Sequence, residues 1–209
     1  MKRFMLVVLC LVFTALAADL SFAAKRKAVV GKAASGADAD KMAAGSFIMA
    51  ADFEKEGTVL FGAWNKDPND DTQGCKLEIV TPGYNGKGKC AKLTYDIDSP
   101  NEAFNGFWMK LNGENTLDLS DYTKLYFWVK GDKTAGYSTK VKVELKDTKM
   151  ASSVMLDNIT DSWKRVELPL DSFNMIKDWK QMKEFVITFD NNVTQKVGVI
   201  YVDNVYFSK

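Results

Sequence analysis

The chain has 209 residues, 46% of them apolar, with 28 Lys and Arg against 27 Asp and Glu and no histidine. That length and apolar share suffice for one domain with a substantial core, while the near-neutral charge argues against a nucleic-acid binder, whose phosphate contacts need surplus cations. The absent histidine removes His-dependent triads, zinc sites with imidazole ligands and the usual general base near neutral pH, so the expectation moves from catalysis toward binding or structure.

Residues 1–23 read as a signal peptide. Met1-Lys2-Arg3 gives a basic start, Phe4 to Ala17 an apolar run, and Ser21-Phe22-Ala23 a small-x-small cleavage site before Ala24. The apolar core of about 13 residues falls short of the ~20 that a membrane-spanning helix requires. Cys10 follows Leu9 rather than the small residue expected before a lipidated cysteine, which argues against a lipoprotein. The expected product is exported, periplasmic or extracellular, with no transmembrane span once the signal is removed.

Residues 24–46 are mainly Ala, Gly, Ser, Lys and Asp, with no aromatic side chain. Such a segment buries too little surface to offset its ordering entropy and is expected to be a flexible leader. The part from residue 47 onward carries 21 basic and 24 acidic residues and is slightly acidic.

Two cysteines remain after the signal, Cys75 and Cys90, beside the apolar runs Cys75–Val80 and Cys90–Tyr95. In an exported protein the expected state is a disulfide between them, contributing about 3 kcal/mol in the chain-entropy model. Two free buried thiols are the other reading.

From Phe47 onward the apolar pattern has period two, the signal of half-buried strands. Leu125, Phe127 and Val129 alternate with Tyr126, Trp128 and Lys130, and Val141, Val143 and Leu145 alternate with Lys142, Glu144 and Lys146. Phe185, Ile187 and Phe189 repeat the pattern, as do Val197, Val199, Tyr201 and Val205. Further strands are expected over 47–53, 58–63, 75–80, 89–96, 104–111, 153–157 and 163–168. Turn signals such as Asn112-Gly113, Gly131-Asp132 and Asn191-Asn192 separate them. Helix is expected only in short pieces, near Leu170–Phe173 and Asp178–Lys183. The sum is an all-β chain, an antiparallel β-sandwich or jelly roll, folded as one domain over 47–209.

Several segments carry a family resemblance. They are Asp52-Phe53-Glu54, Cys90 to Asp96, Asp118 to Asp132 with its Leu125-Tyr126-Phe127-Trp128-Val129 run, Trp163 to Phe173, and the closing Ile200-Tyr201-Val202-Asp203-Asn204-Val205-Tyr206-Phe207. Over residues 47–208 the chain resembles the galactose-binding-like jelly rolls, in particular the family 11 and family 30 carbohydrate-binding modules. It is also similar to the related sandwich of the complex I intermediate-associated protein 30 group. The resemblance implies a structural calcium near the chain ends, with Asp52, Glu54 and Asp203 as matching side chains. Calcium favours several carboxylate and carbonyl oxygens. Alternation with Tyr201 and Val205 places Asp203 on the inward face, where a carboxylate needs a cation or hydrogen-bond donors. Pairing with lysines or backbone amides is the alternative for these acids.

A sugar site needs aromatic rings presented as a platform. Trp108 and Trp128 lie out of phase with the apolar sets of their strands, Tyr126 shares the face of Trp128, and Trp64 and Tyr84 sit in polar, turn-rich surroundings. Each ring is therefore either a stacking surface or edge packing. With Lys110 and Glu144 as hydrogen-bonding groups they form the candidate ligand site. No G-x-S-x-G, P-loop or Cys-x-x-Cys is present. The expected function is non-catalytic binding of a poly- or oligosaccharide. An envelope protein-interaction or assembly module on the same sandwich is the alternative, and a small hydrolase a more remote one.

Overall fold

The computed structural model describes residues 47–209 apart from Glu56 and Thr58. The expected signal peptide and leader, residues 1–46, lie outside the described residues. Eleven described strands run in chain order as β1 (Phe47–Ala51), β2 (Phe61–Asn65), β3 (Gly74–Val80), β4 (Cys90–Asp96), β5 (Asn105–Lys110), β6 (Lys124–Gly131), β7 (Lys140–Asp147), β8 (Ala151–Asp157), β9 (Lys164–Pro169), β10 (Met182–Phe189) and β11 (Val197–Ser208). They form two antiparallel sheets. One has the order β3-β4-β11-β6-β9, with β1 beside the second half of β11; the other has the order β2-β5-β10-β7-β8.

The period-two pattern explains the layering, because successive side chains point to opposite faces. Leu93, Tyr95, Phe127, Val129, Ile200 and Val202 of the six-stranded sheet are buried against Phe107, Met109, Val143, Leu145, Phe185 and Ile187 of the five-stranded sheet. Aromatic contacts lock the layers together. Phe127 meets Phe185 edge-on at 5.4 Å, and Tyr95 stacks on Phe189 at 3.9 Å. The Tyr95 hydroxyl accepts from the Ser138 amide and donates to the Gln195 carbonyl, so its polar end is satisfied inside the core.

Three expectations are corrected. Cys75 and Cys90 are free thiols, not a disulfide. In the β3–β4 ladder Cys75 is paired with Tyr95 and Cys90 with Val80. The cysteines are thus five ladder positions apart, roughly 17 Å, against the ~4.4–6.8 Å between Cα atoms that a disulfide spans. They also point to opposite faces. The short helix expected over Asp178–Lys183 is instead a turn leading into β10, whereas the Leu170–Phe173 expectation corresponds to a 3-10 turn at Leu170–Ser172. Finally, Asp203 is buried but not inward-facing. It is paired with Trp128, whose side chain lies on the outer face, and the irregularity between Asp203 and Tyr206, with Asn204 in the left-handed region at φ 46°, resets the phase so that Val205 and Phe207 return to the core.

Candidate functional site

On the outer face of the five-stranded sheet, β2 and β5 each carry a Gly-x-Trp segment, Gly62-Ala63-Trp64 and Gly106-Phe107-Trp108. Antiparallel pairing sets Gly62 opposite Trp108 and Trp64 opposite Gly106. Each indole therefore lies across the glycine of the neighbouring strand. A Cβ on Gly62 would stand 3.0–3.1 Å from three atoms of the Trp108 ring, and one on Gly106 would stand 3.1 Å from Trp64 Nε1. Without side chains beneath them, the rings can lie flat on the sheet and turn a face outward. Both are half-buried, and Phe104 meets Trp64 edge-on at 5.9 Å.

The pairing registers extend this pattern into cross-strand rows, about 7 Å apart along the strands. One row contains Trp64, Gly106, Thr188, Lys142 and Met155, and the next Gly62, Trp108, Val186, Glu144 and Ser153. In the third row Lys110, Glu184, Lys146 and Ala151 follow one another. Lys110 Nζ lies 2.6 Å from one Glu184 oxygen and Lys146 Nζ 3.4 Å from the other. Burial opposes ionisation of Glu184, but the two ammonium groups outweigh it and hold the carboxyl below its ordinary range. Lys110 also sits 5.7 Å from the centre of the Trp108 ring. Trp64, Trp108, Lys110, Lys146 and Glu184 line an open depression of about 270 Å³.

The structure thus brings together four of the seven ligand-site candidates: Trp64, Trp108, Lys110 and Glu144. Tyr84, Tyr126 and Trp128 lie on the outer face of the opposite sheet. There the loop after β3 folds over β6 and β11, and the Tyr84 amide donates to Asp203 Oδ2 at 2.8 Å. Tyr84 stacks on Trp128 at 4.0 Å, and Tyr126 stacks on Tyr206 at 5.0 Å with Arg165 above it. Trp128 is 5% exposed and Tyr84 9%, so these rings spend their faces on one another. Sequence reasoning passed over Lys146, Glu184 and the two glycines. The repeated Gly-x-Trp was the available signal for the glycines; the Lys-Glu-Lys row depends on register and has no local signature.

Asp203 lies beneath the same loop. Burial pushes its carboxyl up to about 6, with the charges of Glu54 and Asp52 adding to that and amide hydrogen bonds from Tyr84 and Asn204 opposing it. Glu54 accepts from the Lys89 amide and Asp52 from the Glu54 amide. Among the described residues no three acidic or cysteine side chains form a ready metal cluster. A cradle of oxygens is nevertheless present: a Cβ on Gly83 would meet the carbonyls of Lys89 at 2.7 Å and Lys87 at 2.8 Å, and Asp203 Oδ2 at 2.8 Å. Phe53, between the two acids, is held in the left-handed region at φ 58° while its ring is buried against Phe61. A bulky residue there is strained. Three carboxylates near two backbone carbonyls are a donor set that fits calcium.

With the geometry in place, comparison with known proteins assigns the family. The carbohydrate binding domain 30 family profile matches residues 53–209. The chain belongs to that family. Its sandwich is similar to the family 11 carbohydrate-binding module from Clostridium thermocellum, determined with a β-1,3-1,4-mixed-linked tetrasaccharide. That likeness has 19% identity and a TM-score of 0.58 over 79% of this chain and 97% of that one. It is also similar to the family 30 module of a cellulosomal cellulase of Clostridium thermocellum, with 15% identity and a TM-score of 0.58 over 78% and 98% of the two chains. At these identities the likeness establishes the β-sandwich fold. Comparison with curated protein sequences gives no match.

Proposed function

We propose that this domain is an exported, non-catalytic carbohydrate-binding module that takes a poly- or oligosaccharide on the outer face of its five-stranded sheet. The observation that carries the reading is the reciprocal Gly-x-Trp pair, which seats Trp64 and Trp108 side by side on uncovered sheet. Family membership supports the ligand class. The apolar faces of sugar rings stack on the indoles, while Lys110, Lys146, Glu184 and Glu144 supply donors and acceptors to hydroxyls. Export rests on the signal pattern of residues 1–23.

A structural calcium at Asp52, Glu54 and Asp203 belongs to the same proposal. Those side chains and the carbonyls of Lys87 and Lys89 would hold it; the ion would neutralise the mutual repulsion of the carboxylates and tie β11 to the loop that covers it.

Affinity electrophoresis of the folded domain through a panel of soluble polysaccharides tests the binding. At least one polysaccharide should retard the protein, and Trp64→Ala and Trp108→Ala should each weaken retention roughly tenfold, the equivalent of losing about 1–1.5 kcal/mol of stacking. Retention by none of them would overturn the reading. Co-purification of envelope proteins instead would turn the assignment to a protein-interaction module.

A further inference from the structure

We propose that the saccharide is anionic, with a carboxylate or sulfate on the ring beside Trp108 pairing with Lys146; this rests on the carbohydrate-binding reading of the same face. The first argument is charge. The depression beside the indoles is lined by two lysines and one glutamate, so its ionised groups leave one positive charge uncompensated.

The second argument is the uneven division of Glu184 between its partners. Lys110 lies 2.6 Å from Oε1, within charge-assisted hydrogen-bond range, whereas Lys146 stands 3.4 Å from Oε2, beyond the ~2.7–2.9 Å of such bonds. The Lys146 side chain is also the more open, 38% exposed against 24% for Lys110. Its ammonium carries three donors and no acceptor. Both Glu184 oxygens already face an ammonium, so this part of the depression is rich in donors and short of acceptors. A ligand group made of acceptors, a carboxylate or sulfate, complements it better than a hydroxyl.

The other two rows of the face, from Glu144 to Lys142, have the opposite polarity. Lys142 is shared between Asp190 at 3.0 Å and Glu144 at 3.6 Å, and the Thr188 hydroxyl donates to Glu144 at 2.6 Å. Two carboxylates there share one lysine. An anionic group is repelled from that end and drawn to the Lys146 end, which orients the ligand across the rows.

The test is isothermal titration calorimetry of the folded domain with two matched pairs: polygalacturonate and its carboxyl-reduced counterpart, and a sulfated galactan and its desulfated counterpart. The charged member of one pair should bind at least roughly fivefold more tightly than its neutral partner, an advantage that shrinks as salt rises. The pair that shows the advantage identifies carboxylate or sulfate as the group. Lys146→Met should abolish the advantage, so that the charged and neutral members of the pair bind alike. Lys92→Met, which removes the same charge from the opposite sheet, should preserve it. Equal or tighter binding of the neutral members overturns the proposal while leaving the carbohydrate reading standing. Binding of none of the four, together with an empty polysaccharide panel, overturns both. An advantage that survives Lys146→Met overturns the assignment to Lys146.

Discussion

Each sheet of this sandwich turns tryptophan outward, and the two outer faces treat it in opposite ways. On the six-stranded sheet, Trp128 is sealed under Tyr84 by a loop anchored on Asp203. On the five-stranded sheet, Trp64 and Trp108 lie on glycines and no loop residue stacks on their outer faces among the described ring contacts beyond the edge of Phe104. Strand periodicity assigns a ring to the outside of a sandwich; whether that outside is surface or a second small core depends on what the loops cover. The six-stranded sheet therefore has aromatic packing on both faces, and the five-stranded sheet on one.

The sharpest test of this contrast is a matched pair of truncations. Trp128→Ala removes a buried ring from beneath Tyr84 and should destabilise the fold by about 3–5 kcal/mol. Once folded, the variant should bind saccharide as the wild type does. Trp108→Ala should do the reverse, losing affinity with little change in denaturant midpoint. Urea unfolding and calorimetry on both variants decide it. A Trp128→Ala protein that is stable but does not bind would move the site to the other sheet.

The proposed calcium would act on the covered face alone. In the metal-free protein the Asp203 carboxyl titrates near 6, above its unfolded value, so its folded-state advantage is complete below about pH 4 and is lost as pH rises through 6. Calcium needs the ionised form and must displace that proton. Thermal melting should therefore show a larger calcium-induced rise in Tm at pH 7.5 than at pH 5, about several degrees at saturating ion. Asp203→Asn should remove both the rise and its pH dependence. Identical melting with calcium and with chelator at pH 7.5 would leave the cradle around Gly83 as a hydrogen-bonded loop seat.

How far all this could be read from sequence follows from how local each signal is. Leu125-Tyr126-Phe127-Trp128-Val129 announces its strand because a single period-two segment contains the whole signal, and strand by strand the same holds for β4, β7, β10 and β11. The quoted segments carried the resemblance to the family in the same way. The cysteines failed because two antiparallel strands, each with its cysteine at or next to its first residue, place those residues near opposite ends of the ladder. Asp203 was assigned to the wrong face because one left-handed residue, Asn204, shifted the phase after it. Tyr84 and Trp128 could not be separated from Trp64 and Trp108, since sheet membership is set by pairings between residues far apart in the chain.

The seat under Trp108 gives a smaller and more selective effect. A methyl group on Gly62 would press the indole at 3.0 Å, and the half-exposed ring should tilt away from the sheet. Gly62→Ala should keep its melting temperature within a few degrees and lose roughly fivefold in affinity, reflecting a misplaced stacking surface rather than a missing one. Gly106 is no equivalent control, because a Cβ there would also strike the Ile187 carbonyl at 2.1 Å. Unchanged affinity in Gly62→Ala would mean that the ring need not lie flat.

The cysteines provide the test with the smallest expected effect, and it bears on the covered face. Burial pushes both thiols up to about 12, which suppresses the thiolate that alkylating reagents attack. Cys75 lies on the core side of β3, while Cys90 lies on the outer face of β4, with its thiol 3.7 Å from the Pro82 carbonyl in the covering loop. The native protein should therefore alkylate slowly at both positions, Cys75 and Cys90 should each take a label on unfolding without prior reduction, and a reductant should leave Tm unchanged. A fall in stability of about 3 kcal/mol on reduction would reveal a bridge. Such a bridge would require β3 and β4 to pair in another register, displacing the loop that begins at the end of β3 and seals Trp128. The distinction between a covered and an open aromatic face thus depends on two thiols remaining five ladder positions apart.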